Sequence, residues 1–179
     1  PPTLRRQRQM CIRDRNGLIA SKFRNAGQTC VCTNRLYVHQ SVKEAFLTKL
    51  LDKVGSLTVG NGLEENTTLG PVITMASKHR LEAVIDQAVQ EGATMLNQPQ
   101  KCSGRFMEPV ILDNVEQGMA IVQQELFGPV LPVISFDDDE QVLSMANDTE
   151  YGLACYFYTD SLKRIIKFSE GLELSLIHI

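Results

Sequence analysis

Short apolar runs of β-forming residues alternate with longer segments of helical periodicity along most of this chain. Residues 36–38, 106–112 and 130–136 predict strands, and the last two are apolar enough to be buried. Strands that alternate with helices of about ten to fifteen residues are typical of α/β layers around a largely parallel sheet. The sequence therefore predicts an α/β fold, with a largely parallel sheet flanked by helices.

The predicted helices begin at residues suited to helix N-termini. Ser41, followed by Glu44, matches a capping box, and Ser77 is the predicted N-cap of the next helix. The aspartates at 137–139 predict a third start, because carboxylates stabilise the positive end of a helix dipole. The remaining predicted elements are a helix at 18–23, a strand at 153–158 and a helix at 161–171.

Composition and charge argue against several classes of protein. The 179 residues carry a formal net charge of -3, so no basic field favours nucleic acid as a partner. No apolar run approaches the ~20 residues that span a bilayer, so no membrane partner is predicted. The five cysteines are sparse and odd in number, which argues against a secreted disulfide framework. A reducing compartment, and hence a cytoplasmic location, is predicted.

Both ends of the chain differ in character from the rest. Residues 1–15 contain five arginines and two leading prolines, without the apolar region of a secretory signal. Residues 174–179, LSLIHI, interrupt a helical pattern abruptly. Both ends resemble translated adapter sequence, which predicts a non-native leader at 1–15, a native segment at 16–173 and a non-native tail at 174–179. The alternative is a genuine basic arm and a short terminal strand.

The stretch FRNAGQTCVCTNR, residues 23–35, carries Cys30 and Cys32 and is the strongest functional signal. A closed zinc site needs four ligands. The other native candidates for ligands are scattered singly, at Cys102, Cys155, His39 and His79. No metal is therefore predicted. The residues alone leave two interpretations open: a buried structural thiol, or a nucleophile with backbone N–H groups to receive an oxyanion.

The same stretch resembles the active-site segment of the aldehyde dehydrogenase superfamily. Four further motifs resemble that family in the same order along the chain: LGPVI at 69–73, EPVIL at 108–112, QELFGPV at 124–130 and NDTEYGLACYFYT at 147–159. The resemblance covers residues 16–173 and implies part of the catalytic (thiol) domain, truncated at both ends. It also implies that the general-base glutamate and an oxyanion-hole asparagine lie upstream, so the isolated chain is expected to be inactive.

The resemblance assigns roles to individual residues. Cys30 is the implied nucleophile, which forms a thiohemiacetal and then a thioester with the substrate. Arg24 is implied to bind a distal carboxylate, a role that suits a planar guanidinium. Glu125 is implied to hydrogen-bond the nicotinamide ribose, and Phe127 to pack against the nicotinamide. Cys32 is a candidate redox partner of Cys30 in a reversible disulfide, with simple packing as the alternative.

Within the family, KFRNAGQTCVC resembles the branch that oxidises succinate semialdehyde, with near neighbours that act on glutarate semialdehyde. The resemblance implies NAD or NADP as coenzyme, bound mainly upstream, a small aldehyde with a distal carboxylate as substrate, and a homo-oligomeric parent enzyme. The alternatives are a dehydrogenase for another aldehyde, such as glutarate semialdehyde, and a non-enzymatic thiol redox or metal-binding module.

Overall fold

The computed structural model describes residues 16–174 and 176–178. Within those residues, four strands form one sheet in the order β1-β4-β3-β2, and two more form a separate pair. The strands are β1 Leu36–His39, β2 Thr94–Met95, β3 Val110–Asp113, β4 Val130–Phe136, β5 Ala154–Tyr156 and β6 Leu176–His178. The helices are α1 at 16–23, α2 Lys43–Val54, α3 Met75–Gln90, α4 Ala120–Gln123, α5 Asp139–Asn147 and α6 Leu162–Gly171.

The central strand β4 is parallel to both of its neighbours. It pairs with β1, where Leu36 lies opposite Val133, and with β3, where Val110 lies opposite Val130. The edge strand β2 is antiparallel to β3. The predicted α/β fold with a largely parallel sheet is therefore confirmed.

Helices cover both faces of this sheet, so its strands are apolar on both sides. On one face Val110 and Ile134 pack in a core that includes Leu81 of α3. On the other face Leu131 packs in a second core with Leu50 of α2. A parallel sheet covered in this way reads as a continuous apolar run rather than an alternating one, which explains why residues 130–136 were recognisable as a buried strand.

The predicted N-caps at Ser41 and Ser77 are wrong. The Ser41 N–H donates to His39 Nδ1 at 3.2 Å within a 3-10 turn, and α2 begins only at Lys43. Ser77 lies inside α3, because Thr74 Oγ1 accepts the Ser77 N–H at 3.0 Å and caps that helix. The aspartate start is confirmed, with Asp138 as the N-cap of α5.

Two predicted strands are shorter than expected, and the predicted termini are not tested. The strand predicted at 106–112 begins only at Val110, after Pro109, which has no N–H to donate. The strand predicted at 153–158 is reduced to β5. Residues 1–15 lie outside the described residues, and β6, which pairs in parallel with β5, lies within the predicted tail. That either end is non-native stays a prediction.

Candidate active site

The loop that carries the cysteines leaves α1 through a strained turn. Residues Arg24–Gly27 form a short 3-10 helix, in which Asn25, Ala26 and Gly27 have φ angles of 51°, 54° and 74°. Left-handed backbone at residues other than glycine costs about 1–3 kcal/mol each and is found where the surroundings enforce it. The loop is therefore a shape imposed by its contacts rather than one that the chain adopts by itself.

Amide side chains supply those contacts. Gln28 Nε2 donates to Pro71 O at 3.2 Å, and Gln28 Oε1 accepts the Ile73 N–H at 2.8 Å. Asn25 Nδ2 donates to Gln28 O at 3.2 Å. The motif at 69–73 is thus joined directly to the cysteine loop. Hydrogen bonds from Asn25 and Gln28 therefore hold the loop in place.

The two cysteines point into different surroundings. Cys30 is exposed, whereas Cys32 is half-buried, and both are free thiols. A turn at residues 29–32 is closed by the Cys32 N–H, which donates to Thr29 O at 3.0 Å. Cys32 Sγ lies 2.8 Å from Thr29 Oγ1 and 3.7 Å from Arg24 O. The backbone N–H of Cys30 has no hydrogen-bond acceptor among the described residues, so it is available as an oxyanion donor.

A buried cation lies directly behind the loop. Lys22, in α1, is 1% exposed. Burial lowers the pKa of Lys22 from 10.5 to about 8, and the nearby Cys32 opposes part of that shift. Arg24, two residues further on, is exposed at the start of the 3-10 helix. One cationic side chain, Arg24, is therefore exposed at the loop, and another, Lys22, is buried in the preceding helix near Cys32.

The cysteine loop meets the QELFGPV motif backbone to backbone. A Cβ atom at Gly27 would lie 2.2 Å from Gly128 O, and one at Gly128 would lie 2.3 Å from Leu81 Cδ1. Glycine at position 27 permits this approach, because any side chain there would overlap the Gly128 backbone, and glycine at position 128 leaves room for Leu81. Two motifs separated by about a hundred residues in sequence are thus adjacent in the fold.

Two side chains hold the backbone of residues 124–126. Asn34 Nδ2 donates to Gln124 O at 2.7 Å, and Asn34 Oδ1 accepts the Leu126 N–H at 2.9 Å. Arg80, from α3, donates to Leu126 O and, at 3.5 Å, to Glu125 O. The main chain on both sides of Glu125 is therefore fixed by residues from two other parts of the fold.

The side chains of Glu125 and Phe127 are left available for a ligand. Glu125 is half-buried, and its carboxylate has no hydrogen bond or ion pair within the described chain. Phe127 has a φ of 46° and is 39% exposed. A carboxylate acceptor next to an exposed aromatic ring fits the ribose and nicotinamide end of a dinucleotide coenzyme. Across residues 16–174 and 176–178, no group of three or more His, Cys, Asp or Glu side chains could hold a metal ion.

Sequence reasoning missed three residues of this site: Lys22, Asn34 and Arg80. Asn34 and Arg80 act through partners 45 to 92 residues away, and no local pattern indicates contacts of that range. Lys22 lies on the apolar side of α1, where the only available signal was a lysine directly before a buried phenylalanine.

No helix in the described part of the chain is long and apolar enough to cross a membrane.

Known proteins match this chain in sequence and in fold. Glutarate-semialdehyde dehydrogenase from Pseudomonas putida is 44% identical over 163 residues, which cover 91% of this chain and 34% of that protein. 3-Sulfolactaldehyde dehydrogenase from Pseudomonas putida is 39% identical over 165 residues, with the same coverage of 91% and 34%. The crystal structure of succinate-semialdehyde dehydrogenase from Burkholderia pseudomallei superposes with a TM-score of 0.89 at 41% identity, covering 92% of this chain and 35% of that one.

These relatives and structural neighbours are oxidoreductases that act on aldehydes, which gives the class of enzyme that this fold represents. A sequence profile of the aldehyde dehydrogenase family matches residues 13–179, and the chain belongs to that family. Enzymes of the family use NAD or NADP. The chain spans about a third of the length of the relatives that it matches.

Proposed function

We propose that the full-length protein that carries this segment oxidises succinate semialdehyde to succinate with NAD or NADP. The observation that carries the proposal is the cysteine loop, which exposes the Cys30 thiol beside an unpaired backbone N–H. A buried structural thiol, the alternative left open by the sequence, does not fit a side chain in that position.

Cys30 supplies the covalent chemistry. Its thiolate attacks the aldehyde carbon, the carbonyl π electrons move to oxygen, and a thiohemiacetal forms. The oxyanion is stabilised by the Cys30 N–H, which has no competing acceptor in the described chain. Loss of hydride leaves a thioester on Cys30, and attack by water then releases the carboxylic acid and the free thiol.

Glu125 and Phe127 are the residues of this chain that meet the coenzyme. The coenzyme, when bound, supplies the acceptor for the hydride that leaves the substrate carbon. Glu125 offers a carboxylate with no protein partner, suited to a pair of ribose hydroxyls, and Phe127 offers an exposed ring suited to the nicotinamide. Since most of the coenzyme site is implied upstream, these residues position one end only.

Arg24 is the proposed determinant of substrate class. The names of the three relatives specify glutarate semialdehyde, 3-sulfolactaldehyde and succinate semialdehyde. Each of these aldehydes has an anionic group, a carboxylate or a sulfonate, at the end away from the aldehyde. Arg24 is exposed at the start of the loop that carries the nucleophile, and a guanidinium binds both anions through paired hydrogen bonds.

Two finer proposals accompany this one. Glutarate semialdehyde is the second candidate substrate, because the relative that acts on it is as similar as any described above. Cys32 remains a candidate redox partner of Cys30, and the turn at residues 29–32 provides the bend that such a disulfide requires. A cytoplasmic, homo-oligomeric parent enzyme completes the proposal.

Replacement of the nucleophile tests the function. In the full-length protein that carries this segment, Cys30→Ala is expected to abolish NAD(P)-dependent oxidation of succinate semialdehyde. Cys102→Ala is the matched control, since Cys102 is a free thiol in a different part of the fold, and it should retain wild-type turnover. Comparable turnover in the Cys30→Ala enzyme would contradict the proposal.

A further inference from the structure

We propose that Asn34 is a positioning residue that holds the coenzyme-proximal segment, Gln124–Phe127, in fixed register with the cysteine loop. The proposal rests on the proposed contact between Glu125 and the coenzyme. It adds a residue that touches neither substrate nor coenzyme, and through which the nucleophile and the coenzyme end of the site are built as one unit.

The Asn34 side chain forms the pair of backbone hydrogen bonds that a neighbouring β-strand would form. It donates to the carbonyl before Glu125 at 2.7 Å and accepts from the N–H after Glu125 at 2.9 Å. Both distances are those of strong, well-formed hydrogen bonds. The amide therefore fixes the backbone on both sides of Glu125, while the Glu125 carboxylate stays free of protein partners within the described residues.

Asn34 belongs to the cysteine loop, since it lies only four residues after Cys30 in sequence. The segment that it holds lies 90 to 92 residues away along the chain. Arg80, in α3, adds bonds to Glu125 O and Leu126 O. Of these two residues, only Asn34 connects the segment to the nucleophile.

The geometry of residues 125–127 requires such support. Phe127 has a left-handed backbone, with φ of 46°, which costs free energy at a residue with a side chain. The segment buries Leu126 but leaves the side chains of Glu125 and Phe127 partly or largely exposed. Backbone bonds from outside the segment thus act together with the buried Leu126 to keep it in one conformation before any ligand arrives.

The same fold contains matched controls for this arrangement. Asn97 donates to Pro109 O at 2.7 Å and accepts the Ile111 N–H at 2.9 Å. Asn147 donates to Gly171 O at 2.8 Å and accepts the Glu173 N–H at 3.0 Å. Each side chain makes the pair of bonds that Asn34 makes, to a carbonyl and to the N–H two residues later. Asn97 holds Val110, a buried strand residue with no part in the proposed site.

The experiment compares Asn34→Ala with Asn97→Ala in the full-length protein that carries this segment. Three quantities are measured: the Kd of the coenzyme by calorimetry, the KM and kcat of aldehyde oxidation, and the release of nitrophenolate from p-nitrophenyl acetate, which needs the Cys30 thiol but no coenzyme. Asn34→Ala is expected to raise the coenzyme Kd about tenfold, consistent with the loss of two hydrogen bonds. Ester cleavage should stay within about twofold of wild type. Asn97→Ala should leave the coenzyme Kd unchanged.

Asn34→Asp provides a second variant of nearly the same shape, for use if Asn34→Ala does not fold. It keeps the acceptor for the Leu126 N–H but places a carboxylate oxygen against Gln124 O, so it should weaken coenzyme binding at least as much. A coenzyme Kd in Asn34→Ala, or in Asn34→Asp where Asn34→Ala does not fold, equal to that of wild type and Asn97→Ala would overturn the proposal. A Glu125→Gln enzyme with unchanged coenzyme Kd would instead refute the underlying contact, and an active Cys30→Ala enzyme would refute the function itself.

Discussion

The pKa of Lys22 shows how strongly burial can change the ionisation of a single residue. Lys22 is 1% exposed, whereas the other buried lysines, Lys43 and Lys78, keep 8–9% of their surface. Lys43 is paired with Asp113 at 2.7 Å, and Lys78 donates to two backbone carbonyls at 2.8 and 3.0 Å. For Lys22, desolvation of the ammonium dominates, and the pKa falls to about 8.

This shift predicts a specific dependence of stability on pH. Between about pH 8 and pH 10.5 the unfolded chain holds a proton on Lys22 that the folded chain has released. Because the unfolded state binds more protons there, the free energy of unfolding should rise with pH across that window, by up to about 3 kcal/mol from this residue. Below pH 8 both states are protonated, and the cost of the buried charge is present in full.

Lys22→Met should remove that rise and should stabilise the 179-residue chain at pH 7. The measurement is urea unfolding at pH values from 7 to 10.5, taken as the difference between variant and wild type so that other titrating groups cancel. Lys163→Met, at an exposed position of α6, is the control and should reproduce the wild-type profile. Parallel profiles for Lys22→Met and wild type would show that the Lys22 ammonium is not desolvated in the folded chain.

At the scale of elements, Gly27 and Gly128 bring the cysteine loop and the QELFGPV motif into direct backbone contact. Gly27 has a φ of 74°, and its missing Cβ would lie 2.2 Å from Gly128 O and 2.6 Å from Gly128 C. Both atoms belong to backbone, so neither can move aside as the end of a flexible side chain would. The cysteine loop and the QELFGPV motif must separate if Gly27 gains a side chain.

Gly27→Ala is therefore expected to destabilise the chain by at least about 2 kcal/mol, from overlap and left-handed strain together. Gly104→Ala separates the two causes, because Gly104 also has a positive φ, 57°, but has open space around its missing Cβ. It should cost only about 1 kcal/mol. Thermal or urea unfolding of both variants measures the difference. Equal losses would mean that backbone strain, and not the contact between the motifs, sets the cost.

Element types were more predictable from sequence than element ends. β4 lies where the apolar run predicts it, because a strand buried on both faces has no polar interruption. The helix starts were harder, since Thr74 and Ser77 can both act as N-caps and lie three residues apart. The capping pattern predicts Ser41 wrongly as an N-cap, because His39, two residues earlier, accepts the Ser41 N–H through Nδ1, a role that capping patterns do not assign to histidine.

At the scale of the whole molecule, the site depends on contacts that sequence reasoning cannot reach. Cys30, Glu125 and Phe127 were accessible because each lies in a motif that resembles a family, although their roles remain predictions. Asn34 and Arg80 were not accessible, because their significance lies in bonds to residues 45 to 92 positions away. The motifs indicated what the loop and the coenzyme-proximal segment contain, and only the fold showed what holds them together.

Substrate choice also belongs to the scale of the whole molecule, because this chain spans only about a third of the length of the relatives that it matches. In the full-length protein, Arg24→Ala should lower kcat/KM for succinate semialdehyde at least about thirtyfold, because loss of one partner of a desolvated charge pair costs about 2–5 kcal/mol. A neutral aldehyde of similar length should be nearly unaffected. Steady-state kinetics on both aldehydes measure the ratio.

Arg24→Lys is the matched control for that variant. It keeps the charge but loses the planar pair of donors, so its selectivity should fall between wild type and Arg24→Ala. Equal losses on the charged and neutral aldehydes would make Arg24 a support for the cysteine loop rather than a receptor for an anion.

The strand order of the sheet also sets a delay between the synthesis of β1 and the synthesis of the strand that pairs with it. Within the described residues β1 pairs only with β4, which begins about 90 residues later in the chain. At about 5–20 residues per second, a ribosome needs on the order of 5–20 s to reach the end of β4 after completing β1. Throughout that interval β1 lacks the strand that pairs with it among the described residues, and the exposed Cys30 thiol is made without the segment Gln124–Phe127. The cysteine loop is thus synthesised well before β4 and before the segment that later packs against the loop.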